Sequence, residues 1–260
     1  MAFYQQLQGL AQWLLPARAP DTTVVNGRFD GYGNQAVHTY FNKKQALAGE
    51  GSYFVTTNPT PGTGVGAGPV VTSYANTAPY FILQNNNPAG GPVVYPDYLK
   101  LIVSAAFGGG TVTNWNFAVI RDVAVPLSLY VTTATSLVTA TPNNVNALSP
   151  VRSNAVFGYQ GGSTAMVAKA PSASSAIIGR ASVGAGVGLV GEEIVLDFGG
   201  LDPAAYQGLT AAESTIPGRK VSVLPPVAIA PGQQIAIVAW FPTATTTGLN
   251  FEFELGHCER

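Results

Sequence analysis

Charge is what this chain of 260 residues has least of. Asp, Glu, Lys and Arg together make up 10% of it, against about 25% in an ordinary globular protein. Twelve bases face thirteen acids, for a formal net charge of −1. So few bases cannot neutralise a run of phosphates, so direct nucleic-acid binding has no electrostatic basis. Cysteine is nearly absent as well. The single Cys258 excludes an intrachain disulfide and is expected to be a free thiol. Only two histidines, His38 and His257, are on hand as general bases or metal ligands. Hydrophobic residues are not scarce: they make up 47%, which excludes a disordered chain.

Other absences concern membranes and export. The runs Tyr53 to Pro96 and Val221 to Phe251 carry no charge, but Pro, Gly, Asn and Thr break both, so neither reads as a membrane helix. A membrane β-barrel would want a signal peptide, strands of about ten residues and aromatic girdles. The start, Met1-Ala2-Phe3-Tyr4-Gln5-Gln6-Leu7, has no basic segment before its apolar residues, and its first base is Arg18. No secretory signal and no membrane partner are therefore expected. No Asn-x-Ser/Thr site with a permitted middle residue occurs, so N-glycosylation is not expected.

Three regions follow from what is present. Phe3, Leu7, Leu10 and Leu14 are spaced by four, three and four, which predicts one apolar face of a helix over 3–15. Trp13 widens that face and Pro16 ends it. Residues 1–20 form this first region. Residues 21–92 read as an extended arm, rich in Pro and Gly, with the punctuated run Pro59 to Pro69 at its middle. The arm also carries Tyr40, Phe41, Tyr53 and Phe54. Aromatics at that density need a surface to lie on. Short strands are expected within it at 53–57 and 80–84.

Residues 93–260 read as a β-sandwich. Leu99, Leu101 and Val103 alternate with Lys100, Ile102 and Ser104, and Trp115, Phe117 and Val119 alternate with Asn116 and Ala118. Further strands are expected at 127–135, 176–183, 192–198, 221–224, 227–229 and 234–241. Pro231-Gly232 predicts a turn with Pro second and Gly third. The last strand, Leu249 to Leu255, keeps a strict period of two. About eight strands with no helices between them argue an all-β antiparallel two-sheet sandwich of jelly-roll type, not a βαβ fold.

Motifs that carry chemistry are weak. Gly186-Val187-Gly188-Leu189-Val190-Gly191 matches a dinucleotide-binding pattern. That pattern works only where a helix follows, and here Glu192-Glu193-Ile194-Val195-Leu196 reads as a strand. It is an inter-strand loop on this reading. Neither His38 nor His257 lies in a nucleophile motif. One cysteine and two histidines without metal-type spacing predict no metal site. Glu252, Glu254 and Glu259 cluster near the end and read as the wet face of the last strand. Glu192, Glu193, Asp197 and Asp202 read as loop-edge acids. No catalytic residue and no cofactor are expected, and the chain is not read as an enzyme.

A short amphipathic start, a long aromatic arm and a charge-poor sandwich resemble the layout of viral and tailed-phage virion proteins. The thread Pro225 to Gln234, followed by Phe251-Glu252-Phe253-Glu254-Leu255, resembles the last strands of phage capsid-associated jelly rolls. The resemblance covers 93–260 best and rests on no diagnostic motif. It implies a protein made in the host cytoplasm and built into a virion as capsid, cement or connector subunit. It carries over no functional residues. Interfaces are depleted in Lys, Glu and Asp, so the low charge suits a homo-oligomer that also contacts other virion proteins. Phe3, Leu7, Leu10, Trp13, Leu14, Tyr40, Phe41, Tyr53 and Phe54 are the expected subunit interface. The alternative is a carbohydrate-binding or adhesin-type sandwich, which would display aromatic side chains as a platform.

Overall fold

Segments that alternate apolar with polar residues, or run β-branched with aromatic ones, favour strands. The computed structural model describes residues 43–65, 72–77, 79–105, 114–122, 137–160, 175–184, 190–199, 219–242 and 250–260. The expected helix over 3–15 and the expected strand over 127–135 lie outside them. The strands in chain order are β1 Tyr53–Thr57, β2 Pro79–Asn85, β3 Val94–Ala105, β4 Asn114–Asp122, β5 Leu137–Ala140 and β6 Asn143–Asn144. They continue with β7 Ala155–Gln160, β8 Ala176–Gly184, β9 Glu193–Phe198, β10 Arg219–Leu224, β11 Gln234–Trp240 and β12 Asn250–Glu259. The described residues are thus mostly β, as the patterning predicts.

Two compact units divide the chain: Met1–Tyr53 with Asn144–Arg152, and Phe54–Asn143 with Ser153–Arg260. In the first, the described part contains one helix, α1 Lys43–Gly49. The sequence reading does not anticipate it. It is two turns long and buries one apolar anchor, Leu47, so it has no periodicity to detect. Its end is a Schellman cap. Ser52 N–H donates to Leu47 O at 3.0 Å, Gly51 N–H donates to Ala48 O at 3.0 Å, and Gly51 has φ 72°. The loop 144–152 is held by its asparagines: Asn144 Nδ2 donates to Gly51 O and Asn146 Nδ2 to Gly49 O, at 2.8 and 3.1 Å.

The second unit is a sandwich of two six-stranded sheets, ordered β10-β9-β3-β12-β1-β6 and β5-β7-β2-β11-β4-β8. β12 and β9 pair antiparallel with β3, and β2 and β4 pair antiparallel with β11. β10 lies parallel to its neighbour, β9. The chain crosses repeatedly between the sheets: β1, β3, β9 and β12 belong to one, and β2, β4, β8 and β11 to the other. Rings from both sheets meet in the core. Phe81 and Trp115 touch Phe251, and Phe157 and Tyr159 touch Phe253, with centroids 4.7–6.0 Å apart. Burial of each such ring stabilises the fold by about 2–3 kcal/mol.

The sandwich takes in β1 and β2, two strands from the segment read as an arm. β2 is buried along its whole length, so its apolar run Tyr80-Phe81-Ile82-Leu83 is core, not a surface-lying stretch. Val227–Ile229, expected as a strand, contributes one isolated bridge, Val94 to Ile229. The turn at Pro231-Gly232 forms as predicted. Gln233 N–H donates to Ala230 O at 2.9 Å, and Gly232 has φ 79°, which is a type II turn. Gly232 N–H also donates to Asn85 O at 2.8 Å, which fixes the end of β2.

Candidate functional site

The last strand carries a cluster of polar side chains. Phe251, Phe253 and Leu255 point into the core, while Glu252 and Glu254 are half-exposed. Glu254 meets Lys100 Nζ at 2.8 Å and Tyr98 Oη at 2.5 Å, as expected for a wet strand face. The inward parity then continues: His257 and Glu259 are odd-numbered like the core residues, and both are buried. Glu259 was grouped with Glu252 and Glu254 by its place in sequence. The structure corrects this, because the alternation puts it on the opposite face. β3 follows suit through a bulge at Asp97. His257 pairs with Pro96 and Glu259 with Val94, while Gly256 pairs with Tyr98.

Four further residues close on these two. Ser153 Oγ donates to Glu259 Oε1 in a short contact and lies 3.4 Å from His257 Nε2. His257 Nε2 is 3.5 Å from Glu259 Oε1. A carboxylate only accepts, so the shared proton sits on Nε2. Asn87 Nδ2 donates to Glu259 Oε2 at 3.3 Å, and Asn154 Nδ2 donates to Asn87 Oδ1 at 3.0 Å. Phe54 covers the imidazole, stacked at 5.5 Å with an interplanar angle of 21°. His257 Nδ1 is buried and finds no hydrogen-bond partner among the described residues.

Local sequence explains how these groups are aimed. Asn85 ends β2, and Asn87 stands just before the turn at 88–91. Asn85 Oδ1 accepts from Asn87 N–H at 3.0 Å, and Asn85 Nδ2 donates to Pro92 O and Ile229 O, both at 2.8 Å. Ser153 Oγ accepts from Ala155 N–H at 3.0 Å, an Ser/Thr-type turn that starts β7. Val93 and Arg260 exchange two backbone bonds, at 2.6 and 3.0 Å, beside the cluster. Burial pushes the Glu259 carboxyl up, but the hydrogen bonds from His257, Ser153 and Asn87, with the charge of His257, outweigh it. They hold the group below its ordinary value of about 4.5.

The three polar side chains do not form a nucleophile relay. In such a relay the hydroxyl and the acid bind opposite ring nitrogens, whereas here Ser153 and Glu259 both approach Nε2. What the arrangement does is tie the turn after β2, the start of β7 and the end of β12 into one network, buried at His257 and Glu259 and open to solvent at Asn154. Among the described residues no three His, Cys, Asp or Glu side chains gather as a metal site.

The other sequence candidates are placed as follows. Phe3, Leu7, Leu10, Trp13, Leu14, His38, Tyr40 and Phe41 lie outside the described residues. Tyr53 and Phe54 are both buried within the single chain. Cys258 is half-buried on the outer face of β12. Gly191 leads into strand β9, and no helix follows it. Ser153, Asn87 and Asn154 were missed, since no local motif singles them out. For His257 the sequence reading weighs a base or a metal ligand and favours a structural or solvent-facing histidine, without placing it on the inner face. Extending the period of two from Phe251 by eight residues would have placed both His257 and Glu259 inside. No protein-family model, curated protein or solved structure matches the chain.

Proposed function

We propose that this chain is a structural subunit of a virion, assembling with copies of itself and with other shell proteins in a capsid, cement or connector role. The strand order carries the reading. The neighbours β1 and β12, β2 and β11, β3 and β9, β4 and β8 are nested pairs, as in a long hairpin rolled into two sheets. That order supports a jelly roll, with β5 to β7 inserted on one side of the roll and β10 on the other. Jelly rolls serve both viral capsids and lectins, so the fold alone does not choose between them. The scarcity of charge favours assembly. Leu148, 95% exposed, and Val190, 55% exposed, are apolar side chains on the surface of the single chain that an assembly would cover.

The carbohydrate-binding alternative draws on one spot: Tyr74 is 40% exposed and meets the half-buried Trp240 edge-on at 5.5 Å. Trp115 is fully buried and offers no platform. Light scattering and electron microscopy of the purified chain test the assembly reading. Defined rings, shells or lattices are expected. A monomer at every concentration, with binding to glycans that Trp240→Ala abolishes, would replace it by the alternative.

A further inference from the structure

We propose that Ser153, His257, Glu259 and Asn87 form an acid-released latch that fastens the turn at 85–92 and the start of β7 to the end of β12. The argument is one of donor and acceptor counts. The Glu259 carboxylate receives three donors: Ser153 and His257 on Oε1, and Asn87 on Oε2. A proton added to either oxygen turns that oxygen from acceptor to donor. On Oε2 it faces the Asn87 amide N–H and breaks that bond; on Oε1 it faces the His257 N–H, and the Ser153 hydroxyl can receive it only by turning from donor to acceptor. Asn87 also donates to Pro92 O at 3.3 Å and accepts from Asn154. Losing its anchor therefore loosens both segments. A buried polar network with one member unsatisfied costs more than its share of bonds.

The groups around Glu259 do not offset this. On β12, Cys258 falls on the opposite face by parity, as does Arg260 just beyond the strand. On β3, Tyr95 pairs with Cys258 and faces away with it, Asp97 sits in the bulge and is half-exposed, and Val94 and Pro96 face inward. β1 contributes Phe54, and the two turns contribute Asn85, Asn87, Ser153 and Asn154. Of all these, His257 is the group whose charge acts on the carboxylate. Glu259 is held below its ordinary value in the folded chain. Its contribution is therefore present above that value and is lost as the pH falls through the folded one. The latch is closed at neutral pH and opens below about 4.5.

Hydrogen exchange on the full chain, followed from pH 7 to pH 3, tests this. The amides of Gly91, Val93 and Arg260, all hydrogen-bonded beside the cluster, report on the latch, and amides of β11 serve as reference. In the wild type their protection is expected to fall about tenfold or more relative to β11 as the pH drops below about 4.5. Glu259→Gln is expected to lack that step. Ser153→Ala, which removes one donor and keeps the rest, is expected to move the midpoint to higher pH. Should Glu259→Gln fail to fold, the Ser153→Ala shift decides. A wild-type step that persists in Glu259→Gln, a midpoint near the histidine range, or an unmoved midpoint in Ser153→Ala would overturn the proposal.

Discussion

Phe54 lies flat against His257, its ring on β1 and the imidazole on β12, with both side chains fully buried. The ring shields one face of the imidazole. Truncation to Ala leaves a cavity of ring size and opens one face of the imidazole. Phe54→Ala is expected to cost about 3–5 kcal/mol, read as a drop in the urea midpoint at an unchanged slope. A loss under about 1 kcal/mol would mean that the stack is not a structural contact.

Gly232 tests the turn that fixes the end of β2. Its φ of 79° is in the left-handed region, and a Cβ there would meet nothing within 4 Å. The cost of a side chain is then conformational alone. Gly232→Ala is expected to lose about 1–2 kcal/mol, and Gly232→Asn less, because Asn tolerates this region. Equal losses for the two variants in thermal melts would contradict the turn assignment.

Tyr80 gives the fold an alkaline limit. Burial pushes its phenol from 10.0 up to about 12. The fold holds the neutral form, so stability from this group is whole below pH 10 and is lost as the pH rises through about 12. Urea midpoints of the wild type are expected to fall between pH 10 and pH 12. Tyr80→Phe is expected to flatten that fall. An unchanged pH slope in the variant would show that another group sets the limit.

Strands were legible where one face is wet. β12 and β3 announce themselves by alternation, and the Lys100–Glu254 pair at 2.8 Å is the wet face that alternation implies. β2 was legible as a short strand but not as core. Pro59 to Pro69 before it and Pro88-Ala89-Gly90-Gly91 after it carry the composition of an arm, and the four apolar residues between were read in their light. Helix α1 was invisible because its stability comes from Leu47 and a glycine cap, not from an amphipathic stripe. Two of the five polar residues of the cluster are within reach of the sequence, since Glu259 and His257 follow from parity. Ser153, Asn87 and Asn154 come from loops that only the closed sandwich brings together, and no spacing rule relates them to β12.

The proposed assembly is expected to draw on the N-terminal region. Residues 1–17 carry no charged side chain, and the stripe Phe3, Leu7, Leu10 and Leu14 needs an apolar surface to rest on. Sedimentation velocity on the full chain and on a chain lacking residues 1–20 tests this most directly. The full chain is expected at a mass that is a multiple of 26.9 kDa. The truncated chain is expected as a folded species close to the monomer, with its far-ultraviolet β signature kept. A monomeric full chain, a truncated chain that assembles as well as the full one, or a truncation that unfolds the sandwich would contradict it.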